Sequence, residues 1–530
     1  MRLQVSNLLL HLHELERAPE LLRRRAARVL SLELDEIRTI RVTRRSVDAR
    51  GRRPPRFVVA VEVEVSRVPT YLPPGVRRLA LPRPALRRAP PRFTHPPIIV
   101  GAGPAGLFCA RTLAEAGVRA VIVERGRAVE PRKRDVARLY RTGHLDPESN
   151  VSFGEGGAGT FTDGKLSTRV RDREVREVLE ILVAHGADPE ILVSGRPHLG
   201  SERLPGIIAH LRRWLLAQGC EIHFETRVTG LLVEGGRIAG VRLAGGGRLS
   251  SRHVVLAPGN AARELYRELA RIPGLLQPKP LAMGLRVEHP QALIDRIQYG
   301  ASAGHPALPP AEYKLAGRGG GRGVWAFCMC PGGVVVPTPT VSEALCVNGM
   351  SGARRSSRWA NSALVVEVGP EDFARAGFGD DLLAGVHFQE AVERKAYALG
   401  GGAYRAPAQR LTDFLAGRVG TLPRRSSYPR GLSAADLRGL YPRVLVRALA
   451  EAIEGFGRRL RGFCSEEAVL VGAETRTSAP VSFPRGEHLQ SPALPGLYPC
   501  GEGCGHAGGI VSAAIDGMRV ARTLLRATGN

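Results

Sequence analysis

Three glycines and one acid near residue 100 have the spacing of a nucleotide-binding turn. The glycines follow a short apolar strand, and the acid ends the next predicted strand; these residues are Gly101, Gly103, Gly106 and Glu124. The first glycine permits a tight turn, the second lets the backbone approach a pyrophosphate, and the third lets the helix pack closely on the strand. The acid can accept hydrogen bonds from a ribose. This spacing predicts a βαβ unit that binds an adenine dinucleotide.

The helix of this unit is predicted from about Pro104 to Ala116. Its N-terminus offers free N–H groups and partial positive charge to phosphate groups. An ordinary glycine turn would not need the acid at the end of the second strand. Besides the glycines and Glu124, the residues predicted to contact the dinucleotide here are Pro104, Ala105 and Arg125.

A second glycine-rich turn, within residues 497–520, distinguishes FAD from NAD. A predicted strand leads into this turn, and a helix is predicted to begin near Gly509. The pattern resembles the C-terminal part of FAD proteins of the glutathione-reductase type, in which an acid bonds the ribitol and the helix N-terminus faces the flavin. Such a helix end stabilises negative charge on reduced flavin. The contacts predicted here are Gly501, Glu502, Gly508, Gly509 and Ile510.

Two further segments fit an FAD-binding fold. Residues 220–250 alternate apolar and polar side chains between glycine-rich breaks, which predicts a β-meander. The strand and turn at residues 253–259 resemble a turn that passes beside FAD in the same superfamily. We expect Val228 and Gly259 to contact the cofactor.

Four long blocks, at residues 150–165, 195–203, 327–333 and 347–351, resemble the signature blocks of the uncharacterised FAD-dependent dehydrogenase family. The resemblance extends over most of the chain. It implies bound FAD and redox activity, but it supplies no established substrate. The departures are small: Ser201 and Glu202 stand where the resemblance leads us to expect Thr and Asp, and Cys504 stands where a small residue is common.

The loop from Phe153 to Lys165 contains five glycines. Glycines remove side chains where a backbone must pass a planar ring or a phosphate, and the lysine at the loop's exit is a movable cation. We predict that Gly156, Gly157 and Lys165 contact the isoalloxazine or the pyrophosphate. A flexible surface loop is the alternative interpretation.

Two residues are predicted to be catalytic. Lys165 would stabilise reduced flavin or bind an anionic substrate, and His506 would move the proton that accompanies hydride. Both should then lie in one cleft, although a structural role in the turn is the alternative for His506. His198 and Arg203, which precede a helix predicted from Leu204 to Ala217, are expected to face the substrate, with a capping or surface role equally open.

The predicted fold class is α/β. A discontinuous Rossmann-like FAD-binding domain is expected at residues 96–280 and 462–530, with an inserted mixed α+β cap or substrate domain at 281–461. A small N-terminal α+β module is expected at 1–68, followed by a proline-rich linker at 69–95.

The composition agrees with a large enzyme that has several cores. The chain has 530 residues, of which 43% are hydrophobic, and no apolar run approaches the roughly 20 residues needed to span a membrane. No signal-peptide pattern is found at the start, so the cytoplasm is the expected location. Eight cysteines without a CxxC pair predict reduced thiols and no metal site. Cys500 and Cys504 leave a dithiol reductase open, with buried small side chains as the ordinary alternative.

The net charge of +26 is the one compositional oddity. Only five of the 76 basic residues are lysine, and the first 95 residues contain 21 Arg against 9 Asp and Glu. A basic surface can bind nucleic acid, but no interleaved aromatics or known binding module accompany it. We therefore do not expect a nucleic-acid partner.

Together these patterns predict an FAD-dependent oxidoreductase that moves hydride between an unidentified small-molecule substrate and flavin N5. Because the sequence has no second glycine-rich βαβ unit, NAD(P)H would act only as a transient electron donor at the flavin face. Two alternatives stay open: an RNA-associated flavoprotein of the tRNA-modification type, and a flavin-binding protein without turnover. The sequence does not determine the substrate or the oligomeric state.

Overall fold

The N-terminal module is an antiparallel sheet with one helix packed on it. The computed structural model of the chain describes residues 1–51, 53–67, 69, 71–79, 93–168 and 173–527. The elements of this module are β1 (Arg2–His11), α1 (Ala18–Leu30), β2 (Ile37–Asp48), β3 (Arg56–Val65) and β4 (Val76–Arg78). The strand order is β2-β3-β1-β4, and alternate side chains of β1 and β3 are buried against α1, as the period of two predicts.

Part of the linker predicted at residues 69–95 is a strand in the structure. Residues Val76–Arg78 form strand β4, which pairs with Leu3–Val5 at the edge of the module sheet. Hydrogen bonding to β1 therefore extends the module into the region expected to be a linker. Residues 80–92 of that linker lie outside the described residues.

The module is attached to the following domain through main-chain hydrogen bonds. The N–H of Arg45 in β2 donates to the carbonyl of Val193 at 2.8 Å, and the N–H of Gly195 donates to the carbonyl of Arg45 at 2.7 Å. A Cβ at Gly195 would overlap the side chain of Ser46, so glycine is needed for this close approach.

The next part of the chain alternates strands and helices. Its elements are β5 (Ile98–Val100), α2 (Pro104–Glu115), β6 (Val121–Val123), α3 (Val129–Thr142), α4 (Arg173–Ala184), α5 (Leu204–Ala217), β7 (Glu221–His223), β8 (Val228–Glu234), β9 (Arg237–Leu243), β10 (Arg248–Ser250), β11 (Val254–Leu256) and α6 (Arg263–Leu269).

A mixed region follows. Its elements are β12 (Gln277–Pro278), β13 (Leu281–Pro290), α7 (Gln291–Tyr299), β14 (Ala316–Gly319), β15 (Arg322–Cys330), β16 (Gly333–Pro337), β17 (Val347–Ser351), β18 (Trp359–Val368), α8 (Pro370–Arg375), α9 (Ala384–Leu399), β19 (Ala406–Arg410), α10 (Leu411–Ala416), β20 (Leu432–Ala434), α11 (Arg443–Arg459) and β21 (Val469–Glu474). The chain then forms β22 (Val481–Ser482), β23 (Leu497–Pro499) and α12 (Ile510–Ala527).

Five strands form a parallel sheet in the order β23-β11-β5-β6-β7. The central strands β5 and β11 are wholly apolar and buried, as expected for a parallel sheet covered on both faces. The expected meander is the antiparallel sheet β10-β9-β8. This topology confirms the predicted α/β class with a Rossmann-like domain. Strand β23 pairs with β11 although it lies about 240 positions later in the chain, so the domain is discontinuous.

The second large sheet has seven strands in the order β14-β15-β18-β13-β21-β19-β20. Strand β21 (Val469–Glu474) pairs with β13 and β19 in this sheet, although residues 462–530 were expected to belong to the FAD-binding domain. All six residues of β21 are buried, and burial of its apolar side chains favours this position in the seven-stranded sheet. Among the described residues, no helix is both long enough and apolar enough to cross a membrane.

A buried ion cluster joins helix α6, which follows the parallel sheet, to helix α9 of the mixed region. Glu393 of α9, which is 1% exposed, accepts two hydrogen bonds from Arg263 of α6 at 2.8 and 2.9 Å. It also accepts from Arg476 at 2.8 and 3.0 Å. Burial alone would raise the pKa of Glu393, but the two guanidinium groups hold it well below the usual range. The carboxylate is therefore charged and paired on both sides.

We predict that Glu393→Gln lowers the free energy of unfolding by about 3–5 kcal/mol, because it leaves two buried guanidinium groups without their counter-ion. Urea unfolding followed by circular dichroism measures this. The matched control is Glu390→Gln, about one turn earlier in α9, which removes the partner of the half-exposed Arg267. That exposed pair should cost less than about 1 kcal/mol. Equal costs for the two variants would contradict the role assigned to the buried cluster.

Candidate functional site

A cavity of about 1050 Å³ is lined by residues of both large sheets. One wall consists of the loops at the carboxyl ends of β5, β6, β11 and β23, where ligands bind in open parallel sheets. The facing wall consists of residues from the seven-stranded sheet, among them Trp325, Phe327 and Val365. This volume lies at the upper end of the range typical of small-molecule and cofactor sites.

Of the three glycines in the first turn, only Gly103 has free space beside its Cα. Gly101 has φ +102°, and a Cβ there would overlap the carbonyl oxygen of Ala257. A Cβ at Gly106 would overlap the carbonyl oxygen of Gly101, which accounts for close helix–strand packing. At Gly103, by contrast, the nearest heavy atom to a Cβ would be the Cα of Gly157, 3.9 Å away. The turn therefore keeps free space at the N-terminus of α2, where a phosphate would bind.

Glu124 is 5% exposed and accepts three main-chain hydrogen bonds. Its Oε2 accepts from the N–H of Ala102 at 2.8 Å, and its Oε1 accepts from the N–H groups of Gly126 and Gly154, both at 2.9 Å. A carboxylate offers about four acceptor positions, so one position is left for a ribose hydroxyl. Glu124 thus also holds the glycine turn to the loop at residues 153–165.

Arg132 of α3 holds the other side of that loop and was not identified from the sequence. Its guanidinium is fully buried and donates to five main-chain carbonyls, those of Asn150, Val151, Gly154, Glu155 and Gly157. Burial lowers the pKa of Arg132 to about 10. In the sequence it belongs to a run of basic residues that resembles a solvated helix face, so no local signal distinguished it.

The second glycine turn brings another helix N-terminus to the cavity. A Cβ at Gly508 would have no heavy atom within 4 Å, and the first turn of α12 lines the cavity. Helices α2 and α12 pack closely, because Gly517 lies against the carbonyl oxygen of Ala105 where any Cβ would overlap it. Both positive helix ends therefore face one space, which suits the negative charge of a dinucleotide.

Glu502 also lines this cavity. Its Oε1 accepts a hydrogen bond from the side-chain amide of Asn260 at 2.8 Å. Burial raises the pKa of Glu502 from its ordinary 4.5 to about 7, although Lys279 and the Asn260 amide act in the opposite direction. The carboxyl therefore changes its charge near neutral pH.

Lys165 lines the cavity beside two cysteines of the facing wall. Its Nζ lies 3.6 Å from Cys330 Sγ and 3.6 Å from Asp163 Oδ2. Burial alone would lower the pKa of Lys165, but the negative charge that Cys328, Cys330 and Asp163 carry when ionised outweighs burial and raises the pKa. A cation is therefore held at the cavity wall at neutral pH.

Most of the predicted cofactor residues line the cavity. They are Gly101, Gly103, Pro104, Ala105, Glu124, Arg125, Gly157, Lys165, Val228, Gly259, Gly501, Glu502, Gly508, Gly509 and Ile510. Gly106 and Gly156 lie behind the wall instead. Gly156 donates its N–H to the carbonyl of Ala102 at 2.8 Å, and a Cβ there would overlap the side chain of Thr160.

His506 does not line the cavity, contrary to the prediction that it shares one cleft with Lys165. Its Nε2 lies 2.8 Å from the carbonyl oxygen of Phe483, and burial lowers the pKa of the imidazole. The ring is turned towards the segment before β23 because that carbonyl provides its hydrogen-bond partner. This position fits the alternative interpretation, in which His506 has a structural role in the turn.

The two residues expected to face the substrate also lie outside the cavity lining. His198 is bonded through Nε2 to the carbonyl of Ala353 at 3.0 Å. Arg203 is exposed at the start of α5, 3.5 Å from Asp188. Their neighbour Arg196 lines the cavity, and His198 forms an antiparallel β-bridge with Lys165 of the cavity lining.

Cys500 and Cys504 are both fully buried. Burial raises the pKa of the Cys504 thiol to about 12 and that of Cys500 well above its ordinary value. Neither thiol would be ionised near neutral pH, so the geometry fits the ordinary alternative of small buried side chains better than a dithiol reductase.

Comparisons with known proteins give two matches to FAD proteins. A family model described as "FAD-dependent protein, C-terminal domain-like" matches residues 280–477, and an "FAD binding domain" model matches residues 95–142. A model for a domain of unknown function matches residues 2–64.

The chain is also similar in sequence to two known proteins and in structure to a solved one. An uncharacterized protein from Clostridium beijerinckii is 37% identical over 541 aligned positions, which cover 99% of each chain. The digeranylgeranylglycerophospholipid reductase of Haloferax volcanii is 31% identical over 172 positions, or 31% of this chain and 35% of that protein. A solved geranylgeranyl bacteriochlorophyll reductase-like structure from Thermoplasma acidophilum is 12% identical, covers 82% of this chain and 78% of that chain, and has a TM-score of 0.34. Similarity at that level supports no inference about function.

We predict that Gly103→Val abolishes FAD binding while the protein still folds. The backbone at Gly103 has φ −76° and ψ −178°, which valine adopts readily, and only the phosphate path is obstructed. Flavin absorbance per protein and the melting temperature of the flavin-free protein are the two measurements. The contrasting variant Gly106→Val should fail to fold, because its side chain meets the main chain of Gly101. Full flavin occupancy in Gly103→Val would show that the turn does not hold the pyrophosphate.

We further predict a pH dependence from Glu502. Because its folded pKa is raised from 4.5 to about 7, Glu502 favours folding in its protonated form. That contribution is complete below the unfolded pKa and is lost as the pH rises through about 7. The stability of the wild-type protein relative to Glu502→Gln should therefore fall between these values and then stay constant. Urea midpoints of the two flavin-free proteins measure it, and a difference independent of pH would contradict the assignment.

Proposed function

Because the chain belongs to the family of FAD-dependent proteins that includes its Clostridium beijerinckii relative, we propose that it is an oxidoreductase that transfers hydride between a small molecule and bound FAD. One observation carries the proposal. Two helix N-termini and a half-buried lysine line the same cavity, whose wall is free of side chains at Gly103, Gly508 and Gly259. Positive charge and open backbone together suit a flat, anionic dinucleotide.

Each part of the cofactor has a residue of suitable chemistry. We assign the pyrophosphate to Gly103 and the first turn of α2, the adenosine ribose to Glu124, and the ribitol to Glu502. The first turn of α12 would then face the pyrimidine end of the flavin. These assignments keep the order in which the same groups occur along an extended dinucleotide.

Bound FAD supplies a two-electron acceptor and donor at N5. Lys165 and the N-terminus of α12 would then place positive charge beside the negative charge of reduced flavin. His506 is not assigned a proton role, since its imidazole is bonded to the carbonyl of Phe483 outside the cavity lining. The accompanying proton would then come from solvent or from the substrate.

The substrate would lie against the seven-stranded sheet. Phe327 there is 40% exposed and, with Trp325, provides an apolar surface, while Arg476 and Lys314 line the same cavity. A molecule with an apolar part and an anionic group fits this wall. The name of the Haloferax volcanii relative describes a reductase, and its match spans a third of each protein, so we take from it the reaction type and not the lipid substrate. NAD(P)H is proposed only as a transient electron donor.

Anaerobic screening of the purified protein tests the proposed reaction. NADH, NADPH and pools of small metabolites are added in turn, and bleaching of the visible flavin absorbance is followed. At least one donor should reduce the flavin, and admission of an acceptor should restore the absorbance. A protein that holds FAD and is reduced by none of these donors would favour a flavin-binding protein without turnover.

We predict that Lys165→Met makes the flavin harder to reduce. Loss of a cation that is worth about 1.4 kcal/mol to reduced flavin would lower the two-electron midpoint potential by about 30 mV. Equilibration with a reference dye measures the potential without knowledge of the substrate. The control is Lys133→Met, which removes an exposed lysine on α3. An unchanged potential in Lys165→Met, with FAD still bound, would show that Lys165 does not act on the flavin.

A further inference from the structure

Two cysteines on the facing wall form a chemical group that the proposed hydride transfer does not use. Cys328 and Cys330 are separated by one residue at the end of β15, where the pairing register with β18 shifts between Phe327 and Cys330. Cys328 is half-buried and lines the cavity, whereas Cys330 is fully buried behind it. Cys328 also has φ +50°, a conformation that non-glycine residues rarely adopt and that is concentrated at functional sites.

The Cys330 sulfur lies close to the main chain of Cys328. Cys330 Sγ lies 3.4 Å from the carbonyl oxygen of Cys328, so this thiol is folded back over the main chain of the other cysteine. The ammonium of Lys165 lies 3.6 Å from the same sulfur. The guanidinium of Arg286 lies 3.5 Å from the Cys328 carbonyl oxygen. Burial raises the pKa of the Cys330 thiol to about 11, and the cations of Lys165 and Arg286 act in the opposite direction, towards the thiolate form that reacts in disulfide chemistry.

Two other cysteines, Cys346 and Cys500, also line the cavity. Both are buried, and burial raises the pKa of each thiol, as it does for Cys330. Among the described residues, however, no lysine is hydrogen-bonded to Cys346, Cys500 or Cys504. Within the pair, Cys328 thus gives access to the cavity, and Cys330 has the neighbouring ammonium.

We propose that Cys328 and Cys330 form a redox-active dithiol that exchanges two electrons with FAD bound in the same cavity. This inference rests on the proposed function, because it requires flavin between the two walls. It adds a dithiol or disulfide compound to the substrates that such a site could serve, since a thiol pair that reaches the cavity can pass its electrons on by exchange.

The exchange is balanced between the pair and the flavin. On oxidation of the pair, two S–H bonds are broken and one S–S bond forms. Two electrons and one proton pass to the flavin, and the second proton passes to solvent. In the reverse direction, reduced flavin returns the two electrons, and the disulfide is cleaved to two thiols. Lys165 stabilises the thiolate that either direction requires, and it is a positioning residue for this step.

An anaerobic reductive titration of the flavin-bound protein tests the proposal. The protein is treated with diamide, desalted and titrated with dithionite. The wild-type protein should consume about two electron equivalents per flavin more than Cys328→Ser or Cys330→Ser. The control Cys464→Ser, which removes a half-buried cysteine that donates to the carbonyl of Ile453, should match the wild type. Equal consumption by all four proteins, each with full FAD content, would overturn the proposal.

Peptide mapping separates the two possible failures. After diamide treatment and alkylation, the wild-type peptide with Cys328 and Cys330 should lack two alkyl groups and regain them after reduction. A protein that forms this disulfide but contains no FAD would overturn the proposed function, and with it the exchange, while the thiol pair itself would stand. Two fully alkylated cysteines in a protein with FAD would overturn the dithiol alone.

The role of Lys165 has its own measurement. In Lys165→Met, the pH profile of alkylation at Cys330 should move to higher pH, because the cation that lowers the pKa of this thiol is lost. Lys314→Met, which removes another lysine of the cavity lining, should leave the profile in place. An unchanged profile in Lys165→Met would remove Lys165 from the thiol chemistry.

Discussion

The Glu124 carboxylate and its three main-chain hydrogen bonds are the constraint on which the rest of the site depends. They join the glycine turn, the end of β6 and the loop at residues 153–165, three segments that are separated in the chain. On the far side of that loop, Arg132 donates to five carbonyls. A loop rich in glycine has a high conformational entropy when free, and these buried charges offset it by satisfying many main-chain groups at once. The cavity wall is consequently ordered without large side chains that would fill it.

A second constraint fixes the distance between the two walls. The cluster of Arg263, Glu393 and Arg476 joins α6 to α9 and to the residues just after β21. A buried carboxylate between two guanidinium groups is costly to separate, so this contact resists relative movement of the walls. The contact between Gly517 and Ala105 does the same for α2 and α12 without any charge. Two contacts therefore set the cavity geometry: the close packing of α2 on α12, and the ion cluster of Arg263, Glu393 and Arg476.

The N-terminal module is tied to the same framework. Its strand β2 is bonded to residues 193–195, and the next residue, Arg196, lines the cavity and is paired with Glu312. The segment that is bonded to the module therefore continues directly into the cavity lining. Ion pairs of this kind are frequent among the described arginines, as the pairs of Arg45 with Glu190 and of Arg212 with Glu130 illustrate.

The sequence by itself determined the local geometry: the glycine turn after β5, the helix that begins at Pro104, the second turn before α12, and the use of FAD. These depend on φ angles, on helix ends and on spacing within about 25 residues, which neighbouring residues dictate. The tertiary structure alone decided that Arg132 is buried, that β21 joins the seven-stranded sheet and that Lys165 meets Cys330, 165 positions away. It also turned His506 and Arg203 away from the cavity. Such contacts follow from how sheets and helices pack across long separations, and the type of a single residue does not encode which distant partner it will meet.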